Sequence, residues 1–178
     1  MTGPEPGSDR RTVSIDQQSE TLRLLPWPQA DPAALRSVFA ESGAGLETES
    51  DLRLRHDRYL RGWAEGTEFF YAIELDGHCV GSIGYWYGRS RGLLAYETSW
   101  TLAPEARRRG IAVRSLRLLL AEAAAFPVPR FVHAYVDTDD AEDNALCVEA
   151  GFDRIDLVEL GEPPSLHHDW AFDLAAVA

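Results

Sequence analysis

Two β-rich runs, Phe69–Leu75 and His78–Tyr87, are joined by Asp76-Gly77, the strongest short hairpin signal in the chain. A third run, Leu93–Leu102, follows a Gly88–Gly92 loop and is broken by Pro104. The period then turns helical from near Gly110 to about Ala125, with Ala112, Leu116, Leu119, Leu120 and Ala123 on the apolar face. An apolar strand, Phe131–Val136, comes next. A strand, a helix and another strand beside an antiparallel meander require a crossover. The chain is therefore expected to form a mixed α/β sheet with helices on both faces.

The flanking segments extend this frame. Thr21–Leu25 reads as a first strand, leading through Pro26-Trp27-Pro28 to a helix capped by Asp31, with Pro32 in its first turn. Leu35, Val38 and Phe39 form the stripe of that helix, and Gly43 and Gly45 end it. A second helix spans about Asp51 to Ala64, with Leu52, His56, Tyr59, Leu60 and Trp63 on one face and Gly66 as its stop. A shorter helix, Ala141–Ala150, is closed by Gly151. Strands at Arg154–Leu160 and Asp169–Leu174 finish the chain, across a Gly161–Pro164 loop. The count is about seven strands. With 178 residues, one domain over 21–178 accounts for all of it. Residues 1–20 are polar and rich in Gly, Pro, Ser and Asp. They lack the apolar core of a signal peptide and are expected to be a disordered tail.

Charge narrows the partners. A net charge of −12 argues against nucleic acid or an anionic membrane as the main partner and favours a cationic substrate. No apolar run approaches the roughly 20 residues of a membrane span. Cys79 and Cys147 have no metal-like spacing and read as small buried thiols in a reducing compartment, which points to the cytoplasm. His167 and His168 lack the Cys or carboxylate pattern of a metal site. All 17 basic residues are Arg, whose planar fork suits bidentate phosphate binding.

Chemistry concentrates in Glu97 to Ala112, E-T-S-W-T-L-A-P-E-A-R-R-R-G-I-A, which runs strand, tight loop, helix. Arg107, Arg108 and Arg109 precede a helix N-terminus, where each cation costs roughly 0.3–1 kcal/mol against the helix dipole. An anion would offset that cost. Gly110 permits close backbone approach, and Gly110-Ile111-Ala112 leaves the first-turn N–H groups unobstructed, an arrangement suited to phosphate or pyrophosphate. The bland alternative is a solvated Arg cluster. Neither the GxxxxGK[ST] nor the GxGxxG pattern is present.

These residues resemble a known family. Arg107-x-x-Gly110-x-Ala112 is similar to the (Gln/Arg)-x-x-Gly-x-(Gly/Ala) motif of the GNAT superfamily of N-acetyltransferases. The opening Thr21-Leu22-Arg23-Leu24-Leu25-Pro26-Trp27 and the run Tyr96-Glu97-Thr98-Ser99-Trp100-Thr101-Leu102-x-Pro104 resemble its RimJ/RimL-like branch, which acetylates protein N-terminal amines. Gly151-Phe152 resembles the family's closing Gly-Phe. The likeness runs from about Thr21 to Leu174. It implies a central, mostly antiparallel twisted sheet and an acetyl-CoA-dependent N-acyltransferase, acting by direct amine attack in a ternary complex. It also implies pyrophosphate held by the Arg107–Ala112 turn. The backbone of Trp100, Thr101 and Leu102 would pair with the pantetheine arm, an N–H near Leu102 serving the oxyanion. Monomer and homodimer are both open.

An alkyl amine with pKa near 10.4 must lose its proton before attack, which at pH 7 costs roughly 4.6 kcal/mol. Glu97 is the candidate base. Strand alternation sets it with Ser99 and Thr101, opposite Leu94, Tyr96, Thr98, Trp100 and Leu102. A structural ion pair is the competing account of Glu97. The family pattern breaks at the last helix: its Asn position holds Asp140, its Ser position Asp143, and its frequent Tyr position Cys147, while Asn144 is out of register. Asp140 can accept a pantetheine amide hydrogen, and Asp143 adds negative charge beside an anionic cofactor. Cys147 is a candidate acid for the departing thiolate or a buried structural thiol. Tyr59, Trp63, Tyr71, Trp86 and Tyr87 either line an acceptor cleft or belong to the core. Glu47, Glu49 and Asp51 either attract a cationic acceptor or form a solvated cluster. The Asp substitutions leave room for an inactive acyl-CoA-binding sensor instead of an enzyme.

Overall fold

The computed structural model describes residues 12–17, 20–41, 48–107, 110–126 and 128–177. Eight strands form one sheet: β1 (Val13–Gln17), β2 (Glu20–Pro26), β3 (Glu68–Leu75), β4 (His78–Ser90), β5 (Leu93–Leu102), β6 (Phe131–Asp137), β7 (Asp153–Leu160) and β8 (Ser165–Asp173). Their order is β1-β2-β3-β4-β5-β6-β8-β7. All neighbours are antiparallel except β5 and β6, which are parallel. The crossover between those two strands is helix α3 (Ile111–Ala124). The expected mixed sheet with a crossover helix is present.

Sequence reading and structure differ in two strands. Val13–Gln17 lies inside the segment expected to be a disordered tail, yet it pairs with Glu20–Leu24 as an edge strand. Its V-S-I-D-Q alternation is short and sits among polar residues, so the period-two signal is weak until β2 supplies a partner. The rest of that tail, 1–11 and 18–19, lies outside the described residues. The Gly88–Gly92 loop is also shorter than expected. Strand β4 continues through Arg89 and Ser90, and the turn is Arg91-Gly92 alone, with φ of 52° and 80°. Asp76 and Gly77, at 50° and 79°, make the same two-residue turn that their sequence indicates.

Helices α1 (Pro32–Glu41) and α2 (Glu49–Glu65) cover one face. There Trp27, Tyr59, Phe70 and Trp86 pack ring against ring, Tyr59 on Phe70 at 3.6 Å and Phe70 on Trp86 at 5.8 Å. Tyr59, Trp63 and Tyr71 are core residues, whereas Trp86 is half-buried and Tyr87 is exposed. Thr48 and Asp51 start α2 with reciprocal capping bonds, and Gly66 ends it in the left-handed conformation. Gly43 and Gly45 lie outside the described residues.

Helix α3 and helix α4 (Ala141–Ala150) cover the opposite face, where Tyr71 meets Glu122 and Phe152 meets Phe172. Enclosed by the sheet and α4, α3 is buried almost all round, from Ile111 and Val113 to Leu120 and Ala123. Among the described residues no helix is long and apolar enough to cross a membrane.

Candidate active site

The parallel strands β5 and β6 part soon after they meet. They pair only at Tyr96–Val132 and Glu97–His133. Beyond that bridge the β5 edge facing β6 carries no ladder, while its other edge stays paired with β4 as far as Leu102. The split opens into a cleft of about 130 Å³ lined by Thr98, Ser99, Trp100, Ala134, Tyr135, Val136, Asp137, Asp140 and Asp143. An unladdered strand edge beside a cleft is a template for any extended, amide-bearing ligand.

The start of α3 has the features that suit an anion. Gly110 is its N-cap with φ of 68°, and among the described residues no side chain caps the first turn and nothing beyond the chain neighbours lies within 4 Å of where a Cβ would stand. The N–H groups of Ile111 and Ala112 belong to a first turn whose donors have no intrahelical partner, with the helix dipole behind them. Arg107 is exposed just before this turn. Arg108 and Arg109 lie outside the described residues. Thr101 is half-buried and Leu102 buried at the end of β5.

Glu97 projects to the α1/α2 face. It is half-buried, and its Oε2 accepts a hydrogen bond from the Trp86 indole at 3.2 Å. Its Oε1 occupies the space over Gly88, where a Cβ would come within 2.3 Å of it. The missing side chain at residue 88 thus makes room for the carboxylate. No ion pair holds Glu97 among the described residues, which disfavours the structural ion-pair account.

The positions where the family pattern breaks now have structural partners. Asp140 caps α4, its Oδ1 accepting from the Asp143 N–H at 2.9 Å. Asp143 Oδ1 accepts from Trp100 Nε1 at 2.9 Å, which ties β5 to α4. Burial pushes the Asp143 carboxyl above the usual carboxylate range, against the Trp100 hydrogen bond; the charges of Asp140 and Glu142 add to the rise. Cys147 is fully buried and does not line the cleft. Burial, with Asp143 nearby, pushes its thiol up to about 12. That placement suits the structural reading of the thiol. Glu49 is engaged by Arg36 at 3.0 Å and Asp51 by the Thr48 cap, so neither offers a free charge to an acceptor. Glu47 lies outside the described residues.

Three features escaped the sequence reading. Asn144 locks α4 to the sheet: its Nδ2 donates to the Asp137 carbonyl, and its Oδ1 accepts from Trp170 Nε1 at 2.9 Å and pairs with His168 Nδ1 at 2.8 Å. His133 and Asp169 form a buried pair at 2.7 Å. Tyr135 lies beside them, its ring stacked on His133, and burial together with the charges of Asp169 and Glu97 keeps its hydroxyl protonated. The alternation in Phe131–Val136 held a clue, since His133 and Tyr135 share the face opposite Val132, Ala134 and Val136.

Residues 32–152 match the pattern of the acetyltransferase (GNAT) family. No curated protein matches the sequence significantly. Among solved structures, RimL, a ribosomal alpha-N-protein acetyltransferase in complex with coenzyme A, aligns with a TM-score of 0.76 at 15% identity over 92% of this chain and 98% of its own. Mycobacterium smegmatis RimJ in complex with a CoA-disulfide aligns at 0.73 and 19% identity, over 96% of this chain and 90% of its own. A Salmonella typhimurium acetyltransferase with acetyl-CoA aligns at 0.68 and 19% identity, over 88% and 95%. At these identities the likeness concerns the fold, and that fold is the split, helix-flanked sheet described above. With its central 32–152 segment matching the family pattern, the chain belongs to the GNAT acetyltransferase family.

Proposed function

We propose that the protein is a cytoplasmic N-acetyltransferase of the RimJ/RimL-like branch that transfers acetyl from acetyl-CoA to a primary amine, a protein N-terminus or a small cationic amine. The observation that carries this reading is the open β5/β6 split, where Glu97 is the last residue of β5 paired with β6, together with the α3 start that follows β5 in the chain. An acyl-CoA fits these residues. The α3 turn from Arg107 to Ala112 offers backbone donors and an Arg to the pyrophosphate, and the unladdered edge at Trp100–Leu102 offers backbone groups to the pantetheine amides. The co-substrate supplies an activated thioester.

The chain's own residues do the rest. Glu97, open at Oε1, takes a proton from the ammonium so that the neutral amine can attack. Backbone N–H groups at the end of β5 stand ready for the developing oxyanion, a contribution of several kcal/mol in sites of this kind. The amine–carbon bond forms as the carbon–sulfur bond breaks, the nitrogen's second proton passes to the departing sulfur, and the sulfur leaves as the free thiol.

The test is thiol release from acetyl-CoA over a panel containing an alanine-initiated peptide, spermidine and an aminoglycoside. Turnover with one of them, reduced at least 100-fold in Glu97→Gln, is expected. Coenzyme A binding without turnover, unchanged in Glu97→Gln, would support the acyl-CoA sensor instead.

A further inference from the structure

His133 and Asp169 lie on the same face of the sheet as Glu97, in a row that crosses three strands. Glu97 of β5 stands directly opposite His133 of β6, and Asp169 of β8 closes on the imidazole from the far side, Oδ1 to Nδ1 at 2.7 Å. The side chains of the pair are only 6% and 4% exposed. Burial of this degree needs a reason. A His–Asp pair taken out of water gains little over well-packed apolar residues, so stability alone does not account for it. The bond to Asp169 fixes Nδ1 as the nitrogen that carries hydrogen. The Nε2 lone pair is left as an acceptor, with no protein partner among the described residues.

We propose that His133, oriented by Asp169, is a positioning residue that acts through Glu97 as the proton sink of the acyl transfer. This rests on the N-acetyltransferase reading above. The acceptor's N–H bond breaks and its proton passes to Glu97. Glu97 and His133 make no direct ion pair, so a water carries the proton on to Nε2. The imidazolium is balanced by the Asp169 carboxylate until the proton leaves to solvent, and Glu97 is returned to its anionic form for the next amine. An imidazole ordinarily holds a proton about two units more tightly than a carboxylate, which makes it the better sink near neutral pH. Around the imidazole, Glu97 is the register partner on β5, Tyr135 stacks on it from its own strand and Asp169 bonds it from β8. The Arg91–Asp156 ion pair, 3.0 Å long, links the β4–β5 turn to β7.

The experiment uses the full chain, acetyl-CoA, and the alanine-initiated peptide and spermidine as acceptors. The pH profile of kcat/KM is measured for wild type, His133→Gln and Asp169→Asn. His133→Gln should lower kcat about 10- to 100-fold near pH 7 with KM for acetyl-CoA within twofold, and should abolish the acid limb set by the imidazole. Asp169→Asn removes the charge that supports the imidazolium, so its acid limb should move to lower pH. Nitrogen-15 NMR of the ligand-free wild type should show the neutral ring as the Nδ1–H tautomer, which is independent of turnover. Thermal unfolding checks that both variants fold, and a fold lost in one leaves the other and the tautomer to decide. A wild-type profile in His133→Gln, or an Nε2–H tautomer, overturns the proposal. A wild type that binds coenzyme A yet acetylates none of the peptide, spermidine and the aminoglycoside overturns the transferase reading instead, and the relay with it.

Discussion

The indole of Trp100 donates to the carboxylate of Asp143 at 2.9 Å, joining strand β5 to helix α4 across the mouth of the split. The bond needs an acceptor oxygen and not a charge. An ionised Asp143 sets a negative group beside the path of a multiply anionic ligand. Asp143→Asn keeps the acceptor and removes the charge, so coenzyme A should bind about two- to fivefold more tightly, the ~0.4–1 kcal/mol of one screened charge. Calorimetry with coenzyme A measures it, and weaker binding in the variant would contradict this account.

The same carboxyl gives a pH signature in stability. Its folded-state value is raised by burial, so its contribution is fully present below the ordinary carboxylate range near ~3.9 and is lost as pH rises through the raised value. Asp143→Asn should therefore melt higher than wild type at pH 7, and the difference should shrink toward pH 4. Melting curves at the two pH values check the sign.

Gly88 leaves the room in which Glu97 Oε1 sits. A Cβ there would come within 2.3 Å of that oxygen and 2.8 Å of Glu97 Cγ. A flexible carboxylate can move aside, so Gly88→Ala should fold with little loss of stability. It should still lower kcat at least 10-fold by misplacing the base, with KM for acetyl-CoA unchanged. Steady-state kinetics at saturating acetyl-CoA separate the two effects.

Gly110 adopts a left-handed conformation at the start of α3, with no neighbour among the described residues in the way of a side chain. Strain, not space, limits the position. Gly110→Ala should cost about 1–2 kcal/mol and weaken coenzyme A binding, whereas Gly110→Asn, which tolerates this conformation, should cost less. Denaturant titration and calorimetry on both variants test the order.

Cys147 is fully buried and its thiol lies near 12. At pH 8 only about one molecule in ten thousand carries the thiolate, so iodoacetamide should not label it in the native protein. Cys147→Ala should keep kcat within about threefold while lowering stability by roughly 1 kcal/mol through lost packing. A 100-fold loss of kcat would instead restore Cys147 as the acid.

Much of the fold was legible because its signals are local. Asp76-Gly77 marks its hairpin, Gly66 marks the end of α2, and alternation along Leu93–Leu102 sets Glu97 apart from Tyr96 and Thr98. Each rests on backbone geometry or on a two- or four-residue period. Gly110 before an apolar helix likewise marks the start of α3, although its left-handed conformation was seen only in the structure. The edge strand Val13–Gln17 failed this test because its stability comes from the partner strand, not from its own five residues.

Amino-acid order by itself determined the succession of strands and helices after β1, the face on which Glu97 emerges and the bare start of α3, since each is decided by neighbours a few residues away. Only the tertiary structure decided that β5 and β6 separate after two residue pairs, that Asp143 receives Trp100 from 43 positions earlier, and that His133 meets Asp169 from 36 positions later. Those contacts depend on how distant strands register and how α4 docks, and long-range register follows from burying the whole core at once.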